Sequence, residues 1–208
     1  MRKIIVSIFL VLTFLCSSAM SETAADWFNK AEALNNRGKF TDPQKAIEYL
    51  NNAIKLKPDS VGAYINRGIA YTNLGQYQRA IEDYNQVIRL KPDYAGAFNN
   101  RGYVYYKLGW YQKAIDDYSE AIRLQPNYVW AYISRAEVYG KLGHYQRAIE
   151  DFNKAILLKP NHAKAYFNRG AAYLAQGNSE RGCHDFQKAC SLGNCKFLEE
   201  AKGKGDCR

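Results

Sequence analysis

The sequence predicts an all-α solenoid of about five helical hairpins, because one 34-residue unit recurs along most of its 208 residues. Prolines, glycines and alanines each return at this spacing. They are Pro58, Pro92, Pro126 and Pro160; Gly75, Gly109, Gly143 and Gly177; and Ala80, Ala114 and Ala148. A fixed period of this length is typical of repeat arrays, in which each unit packs on its neighbours.

Each unit is predicted to form two helices joined by a tight turn. In residues 95–128 the apolar side chains recur with helical spacing in two stretches. Gly109 lies between the stretches and can take the positive φ that ends a helix, and Pro126 cannot continue the second helix. The unit is therefore a helical hairpin.

The unit resembles the tetratricopeptide repeat. Counting Ala95 as position 1, the residues that carry the resemblance stand at positions 4, 8, 11, 15, 17, 20, 24, 27 and 32. They are Phe98, Gly102, Tyr105, Gly109, Tyr111, Ala114, Tyr118, Ala121 and Pro126. The resemblance implies a right-handed α-solenoid whose first helices line a concave groove.

The array is expected to cover residues 20–192, with a C-terminal cap over 193–208. Its units are predicted at about 24–60, 61–94, 95–128, 129–162 and 163–192. The first unit is irregular, with three extra residues in the turn at 39–43, and the last loses the pattern in its second helix, where Ser179 replaces a tyrosine. Atypical end units are expected, since each must face water on one side.

Residues 1–19 are predicted to be a secretory signal peptide. Arg2 and Lys3 precede an uncharged apolar run over 4–16, and the small residues Ser17 and Ala19 favour cleavage after Ala19. The run of about 13 residues is short for a membrane span, which needs about 20, although a retained anchor stays open. We expect export to the periplasm of a Gram-negative bacterium, with secretion or anchoring in the envelope as alternatives, and no membrane span after cleavage.

The charge balance does not predict nucleic-acid binding. Without Arg2 and Lys3, 27 cations face 20 acids, a net charge of +7. Many of the cations stand in the last turns of second helices, where they favour the negative end of the helix dipole. They are Lys55, Lys57, Arg89, Lys91, Arg123 and Lys159. Export would also separate the chain from nucleic acid.

Arginine and aspartate recur together at positions 7 and 23 of the regular units. The arginines are Arg67, Arg101, Arg135 and Arg169, and the aspartates are Asp83, Asp117, Asp151 and Asp185. A guanidinium on one helix and a carboxylate on the next predict a partly buried, bidentate ion pair in each unit. Ligand binding by these arginines is the alternative.

Position 6 carries an amide or hydroxyl in every unit, as Asn29, Asn66, Asn100, Ser134 and Asn168. The tetratricopeptide resemblance directs this position into the groove, where the amides resemble the asparagine ladder of peptide-binding superhelical repeat proteins. Amides both donate and accept, which suits the backbone of an extended peptide. The alternative is that they only solvate an exposed helix face.

Apolar residues are expected beside these amides, at Phe28, Ile65, Ile69, Tyr103, Tyr106, Trp130, Ile133 and Phe167. In an open groove they predict a contact surface. Position 5 lacks the lysine of the carboxylate clamp that binds chaperone tails, because it holds Phe28, Ile65, Asn99, Ile133 and Phe167.

Four cysteines near the end, Cys183, Cys190, Cys195 and Cys207, predict two disulfides in an exported chain. Cys183 and Cys190 lie about 10.5 Å apart on one predicted helix, too far to bridge. A chain reversal near Gly193 favours Cys183 with Cys207 and Cys190 with Cys195, and the pairing of Cys183 with Cys195 is the alternative.

The cap is expected to hold an amphipathic helix over 196–201. Residues 189–195, ACSLGNC, also resemble the cysteine-bearing ends of Sel1-like repeats. The cysteine spacing matches no zinc pattern, so no metal site is predicted.

No catalytic constellation is evident in the sequence. His144, His162 and His184 stand at scattered positions, and no phosphate-binding glycine loop accompanies them. His144 and His162 are expected to be surface turn residues. We expect a non-enzymatic scaffold, without a cofactor, that binds a protein or extended peptide; association of copies through the groove stays open. The alternative is an accessory subunit of the cell envelope or a Sel1-like secreted enzyme or glycan-handling protein, which a turnover assay would separate.

Overall fold

The computed structural model describes residues 22–195, 198–199 and 207. Residues 22–195 form ten α-helices and one two-stranded β-ladder. In chain order these are α1 Ala24–Glu32, β1 Asn35–Asn36, β2 Lys39–Phe40, α2 Pro43–Leu56, α3 Val61–Asn73, α4 Tyr77–Leu90, α5 Ala95–Lys107, α6 Tyr111–Leu124, α7 Val129–Lys141, α8 Tyr145–Leu158, α9 Ala163–Ala175 and α10 Ser179–Ser191. The predicted all-α solenoid of five hairpins is confirmed.

Each helix packs chiefly on the helices before and after it in the chain. The first helices of successive units, α3, α5, α7 and α9, also contact one another in that order. They therefore share one side of the solenoid, which is the side that holds the groove.

The turn inside each unit follows from its glycine. Gly109 has a φ of 76°, and the next residue, Trp110, donates its backbone N–H to the Tyr105 carbonyl at 2.9 Å. This bond satisfies a carbonyl at the end of α5 that the helix leaves unpaired. The same geometry recurs at the other three turns, at Gly75, Gly143 and Gly177.

The two helices of a unit approach closely where position 8 is glycine. A Cβ on Gly102 would lie 2.9 Å from the Tyr118 ring, which is buried. Ala114 and Ala121 are also fully buried on the facing helix. Small residues on one helix and a large ring on the other thus give the hairpin its core.

The first unit departs from the predicted hairpin, because its turn is a small β-ladder. Asn36 pairs with Lys39 across a two-residue turn in which Arg37 and Gly38 have φ of 52° and 84°. Such turns need positive φ at both central residues. Phe40 is buried and donates its backbone N–H to the Asn73 Oδ1 at 2.9 Å, which ties the ladder to α3.

The C-terminal cysteines have the pairing that the sequence favoured. Disulfides join Cys183 to Cys207 and Cys190 to Cys195, with Cα atoms 5.4 and 3.9 Å apart. Leu198 is buried in a cluster with Phe186 and Cys207. Leu198 and Glu199 are helical, but the rest of the helix predicted over 196–201 lies outside the described residues, as does the predicted signal peptide, 1–19.

None of the described helices is both long and apolar enough to cross a membrane.

Candidate functional site

The groove contains two recesses along the first helices. The first, here called the aromatic recess, has a volume of about 370 Å³ and spans the middle units. It is lined by Gly38, Ile69, Thr72, Asn73, Tyr84, Asn99, Asn100, Tyr103, Trp130 and Ser134. Five of these were predicted from the sequence: Ile69, Asn100, Tyr103, Trp130 and Ser134.

The aromatic recess presents two exposed rings and no charge. Tyr103 is 45 % exposed and Trp130 is 53 % exposed, whereas aromatic residues of the hairpin cores are buried. None of the lining residues is a charged side chain. The recess is therefore suited to an uncharged ligand.

Asn99 gives this recess an unsatisfied acceptor. Its Nδ2 donates to the Asn100 Oδ1 at 3.4 Å, while its own Oδ1 is buried without a hydrogen-bond partner among the described residues. Leaving such a group unpaired costs about 1–3 kcal/mol. Asn99 was not predicted to be a binding residue; its signal was a polar side chain at position 5, where the other four units are apolar.

Trp130 is positioned by His162, which ends the same unit and caps α9. The two rings meet edge to face with centroids 5.0 Å apart, and the His162 Nδ1 accepts the Ala165 backbone N–H at 3.3 Å. Burial, together with Lys159 and Lys164, lowers the pKa of His162 below 6.5. The sequence suggested a surface turn residue, but His162 is buried and caps α9.

The second recess, here called the Gly140 recess, has a volume of about 460 Å³ and lies between the third, fourth and fifth units. It is lined by Tyr106, Ala136, Glu137, Gly140, Lys141, Tyr145, Ala148, Phe152, Lys164, Asn168, Ala171 and Ala172. Tyr106 and Asn168 were predicted to lie in the groove.

One carboxylate in the Gly140 recess is already paired. The Glu137 Oε1 accepts from the Lys164 Nζ at 2.6 Å and from the Asn168 Nδ2 at 2.9 Å. Glu137 and Lys164 were not predicted from the sequence. Their signal was charge at positions 9 and 2 of the first helices, which line the groove.

The amides at position 6 do not form a free track. Asn66 is buried and its Nδ2 donates to Glu32, just as Asn168 donates to Glu137. In both cases the acceptor is the position 9 glutamate of the preceding unit. Two of the predicted amides thus hold adjacent units together, because a glutamate lies within reach in the folded array.

The remaining members of this row of polar side chains differ from one another. Asn100 accepts from Asn99, Ser134 lines the aromatic recess, and Asn29 is exposed. The expectation of a continuous, ligand-facing ladder of amides is therefore wrong.

Two apolar residues expected in the groove belong to the packing. Ile133 is 1 % exposed and lies in a cluster with Phe152 and Ala165, so it cannot contact a partner. Phe167 stacks on Phe186 with ring centroids 5.6 Å apart, in the cluster that holds the C-terminal disulfide. Each of these residues lies in a first helix and packs against a helix that follows it. The repeat period does not show which first-helix side chains make such contacts.

Phe28 and Ile65 are half-buried near the first unit. Phe28 packs on the core of that unit, and its ring would lie 3.3 Å from a Cβ on Gly62.

The arginine–aspartate pairs form a ladder between the helices. In each regular unit the Nε and Nη2 of the arginine donate to the two carboxylate oxygens of the aspartate at 2.7–2.9 Å. The pairs are Arg67–Asp83, Arg101–Asp117, Arg135–Asp151 and Arg169–Asp185. The arginines lie in first helices and the aspartates in the second helices of the same units, as the sequence predicted.

Each arginine also reaches back to the preceding unit. Its Nη1 donates to a side-chain oxygen 16 residues earlier, at 2.6–2.8 Å, and these acceptors are Asn51, Asn85, Ser119 and Asn153. They were not predicted from the sequence, although three recur at position 25. Each arginine thus bonds to two neighbouring helices through three of its five N–H donors and holds three helices together.

Family models match most of the array. Those described as TPR repeat match residues 70–109, 104–143 and 141–177, and those described as tetratricopeptide repeat match 49–82 and 163–192. No curated protein matches the chain.

Solved structures share the fold. A crystal structure of MamA is 30 % identical, covers 78 % of this chain and 92 % of its own, and has a TM-score of 0.67. MamA from Desulfovibrio magneticus RS-1 is 24 % identical, with coverages of 86 % and 99 % and a TM-score of 0.73. YrrB, described as a TPR protein with an unusual peptide-binding site, is 22 % identical, with coverages of 89 % and 94 % and a TM-score of 0.68.

Proposed function

This chain belongs to the tetratricopeptide repeat family, and we propose that it is a non-catalytic scaffold that binds an extended segment of a partner protein in its groove. The observation that carries the proposal is the aromatic recess. There Tyr103 and Trp130 are exposed beside a buried acceptor, Asn99 Oδ1, that has no partner in the described chain.

The chemistry of the recess favours a peptide over other ligands. Exposed aromatic rings on a concave surface are the residues that most often dominate binding energy. The lining holds amide and hydroxyl groups and no charge, which favours a neutral, hydrogen-bonding ligand such as a peptide backbone or an amide side chain. YrrB supports the proposal only at the level of the fold, which can hold a peptide-binding site.

The test compares two tryptophans of similar exposure. Peptides are selected from a random library on the purified chain without residues 1–19, and their affinities are measured by calorimetry. We expect Trp130→Ala to weaken binding by about 2 kcal/mol or more, roughly thirtyfold. Trp110, which is 44 % exposed and packs beside Tyr105 and Lys113 at a turn, is the matched control, and Trp110→Ala should bind as the wild type does.

Two outcomes would contradict the proposal. One is that the wild type selects no peptide. The other is that the selected peptides bind the Trp130→Ala and Tyr103→Ala variants with unchanged affinity.

We further propose that the chain acts outside the cytoplasm, in a periplasm. Two observations support this: the leader-like sequence over 1–19, and the pairing of all four C-terminal cysteines, which is typical of oxidising compartments. Detection of the chain in the periplasmic fraction, cut after Ala19, is the expected result.

A further inference from the structure

Gly140 is a glycine that the fold does not require. It lies in the last turn of α7 without a positive φ, and a Cβ built on it would meet no atom within 4 Å. Every other glycine in residues 22–195 has a positive φ or a close neighbour in the place of a Cβ. Glycine weakens a helix relative to alanine, so neither the backbone nor the packing explains this residue.

The missing side chain opens the Gly140 recess. Gly140 stands at position 12 of its unit. The same position holds Thr72 in the second unit, Tyr106 in the third and Leu174 in the fifth. A side chain of that size at Gly140 would project from α7 into the volume of about 460 Å³ that Gly140 lines. The floor and walls of this volume are largely apolar, with Tyr106, Tyr145 and Phe152 among them.

The rim of the recess is positively charged. Glu137 is neutralised by Lys164, with which it forms the ion pair described above. Lys141 also lines the recess, is exposed, and forms no ion pair within residues 22–195. An occupant with negative charge next to its apolar part therefore complements the recess.

We propose that the Gly140 recess binds one large apolar side chain of the partner peptide, leucine or phenylalanine in size, whose neighbouring acidic residue faces Lys141. The proposal rests on the proposed function, since it assigns part of the ligand of the same groove. The groove then has two sites. The site at Tyr103 and Trp130 binds an uncharged part of the peptide, and the Gly140 recess, here called the anchor site, binds an apolar side chain that has an acidic neighbour.

The test uses defined peptides on the purified chain without residues 1–19. The probes are acetylated ten-residue peptides that hold one Leu or Phe next to Asp, Ser or Lys in an otherwise uniform Ala and Ser background. Affinity should fall from Asp to Ser to Lys. Gly140→Leu should weaken the binding of all of them at least about tenfold, because the new side chain fills the site of the anchor.

Three further variants separate the anchor site from effects on folding. Gly140→Ala should raise Tm by about 1 to 4 °C and weaken binding. Replacing a glycine that the fold needs would lower Tm instead. Gln78→Leu adds the same side chain on an exposed surface of α4 and should change neither property. Lys141→Gln should reduce the preference for Asp over Ser by about two- to fivefold and leave the Ser peptide unaffected.

The outcomes distinguish this inference from the proposed function. If Trp130→Ala abolishes binding but Gly140→Leu does not, the groove binds peptides and the anchor site is wrong. A lower Tm for Gly140→Ala also overturns the anchor site. So does a dimer, seen in sedimentation, that Gly140→Leu dissociates, because a second copy of the chain would then occupy the recess. If no peptide binds the wild type, both proposals fail.

Discussion

The first helices of the array carry two faces that vary differently along the chain. At position 7 four units have the same arginine paired with the same aspartate, and the bonded nitrogen and oxygen atoms of every pair lie 2.7–2.9 Å apart. At position 12, which borders the groove, the same units have Thr72, Tyr106, Gly140 and Leu174. On the face at position 7, the repeated face, each arginine is bonded to its aspartate. On the face that borders the groove, the varied face, there are an unpaired acceptor and two open recesses.

This difference separates what builds the solenoid from what it binds. A contact that joins every pair of units must recur in every unit, because each junction has the same geometry. A contact with a non-repetitive partner has no such requirement. We therefore expect changes on the ladder to act on stability and changes in the groove to act on binding.

The largest effect should come from breaking one rung of the ladder. Asp117 is 6 % exposed and pairs with Arg101, so Asp117→Ala leaves a charged guanidinium without its partner. We expect a loss of about 3 to 5 kcal/mol in the free energy of unfolding. Replacing Arg101 and Asp117 together by Met and Leu should cost much less, and thermal unfolding of both variants measures the difference. Equal Tm values for the two would count against the buried pair, and Tyr103→Ala, on the groove face, is the control that should unfold as the wild type does.

The next effect concerns the last rung of the ladder, where a disulfide ties Cys183, two residues before Asp185, to Cys207. The bond closes a loop of about 25 residues, and the chain-entropy model gives about 3.5 kcal/mol for it. Cys183→Ser with Cys207→Ser should therefore lower Tm more than Cys190→Ser with Cys195→Ser, whose loop of about six residues gives about 2.2 kcal/mol on the same model. Non-reducing peptide mapping checks the pairing directly, and recovery of Cys183 linked to Cys195, or of free thiols, would refute it.

A smaller effect should distinguish the position 6 amides from one another. Asn66→Ala removes a buried donor from Glu32, and we expect a loss of about 1 to 2 kcal/mol in urea unfolding. Asn29→Ala, at an exposed amide, should lose less than about 0.5 kcal/mol. If both variants unfold at the same urea concentration, Asn66 does not join the units and its amide is available to a partner.

The smallest effect should be a dependence on pH near the groove. Because the pKa of His162 is below 6.5 in the folded chain, the neutral ring stabilises the fold above pH 6.5, and this contribution is lost as the pH falls through the folded-state pKa. Tm should fall less between pH 7.5 and 5.5 in His162→Gln than in the wild type. His184→Gln, at an exposed ring, should follow the wild type. If His162 titrates beside Trp130, the fluorescence of Trp130 in the wild type should also change with pH.

Residue spacing alone predicted the features that belong to the repeated face. Arg101 and Asp117 keep the same separation as their counterparts in the other regular units, so their helices and their facing positions followed from the period. The disulfides followed from helix rise and one chain reversal, because both are local. In contrast, the β-ladder at 35–40 was not predicted, since two-residue strands carry too few side chains to show alternation.

The composition of the groove was predicted only in part, because exposure there depends on neighbouring units. Ile133 and Trp130 both belong to the first helix of the fourth unit, yet one is 1 % and the other 53 % exposed. What distinguishes them is whether a residue of the next unit, such as Ala165, lies over the side chain.

Helix geometry and the repeat period were thus sufficient to predict the hairpin unit, its register, the ion-pair ladder and the cysteine pairing, because each depends on distances that these two quantities fix. The folded array was needed to show which amides were already bonded, which aromatic rings stayed exposed, and that Gly140 borders an open volume. Those properties arise where three units meet. The free space or hydrogen bond at such a junction depends on side chains from different repeats, a combination that no single unit contains.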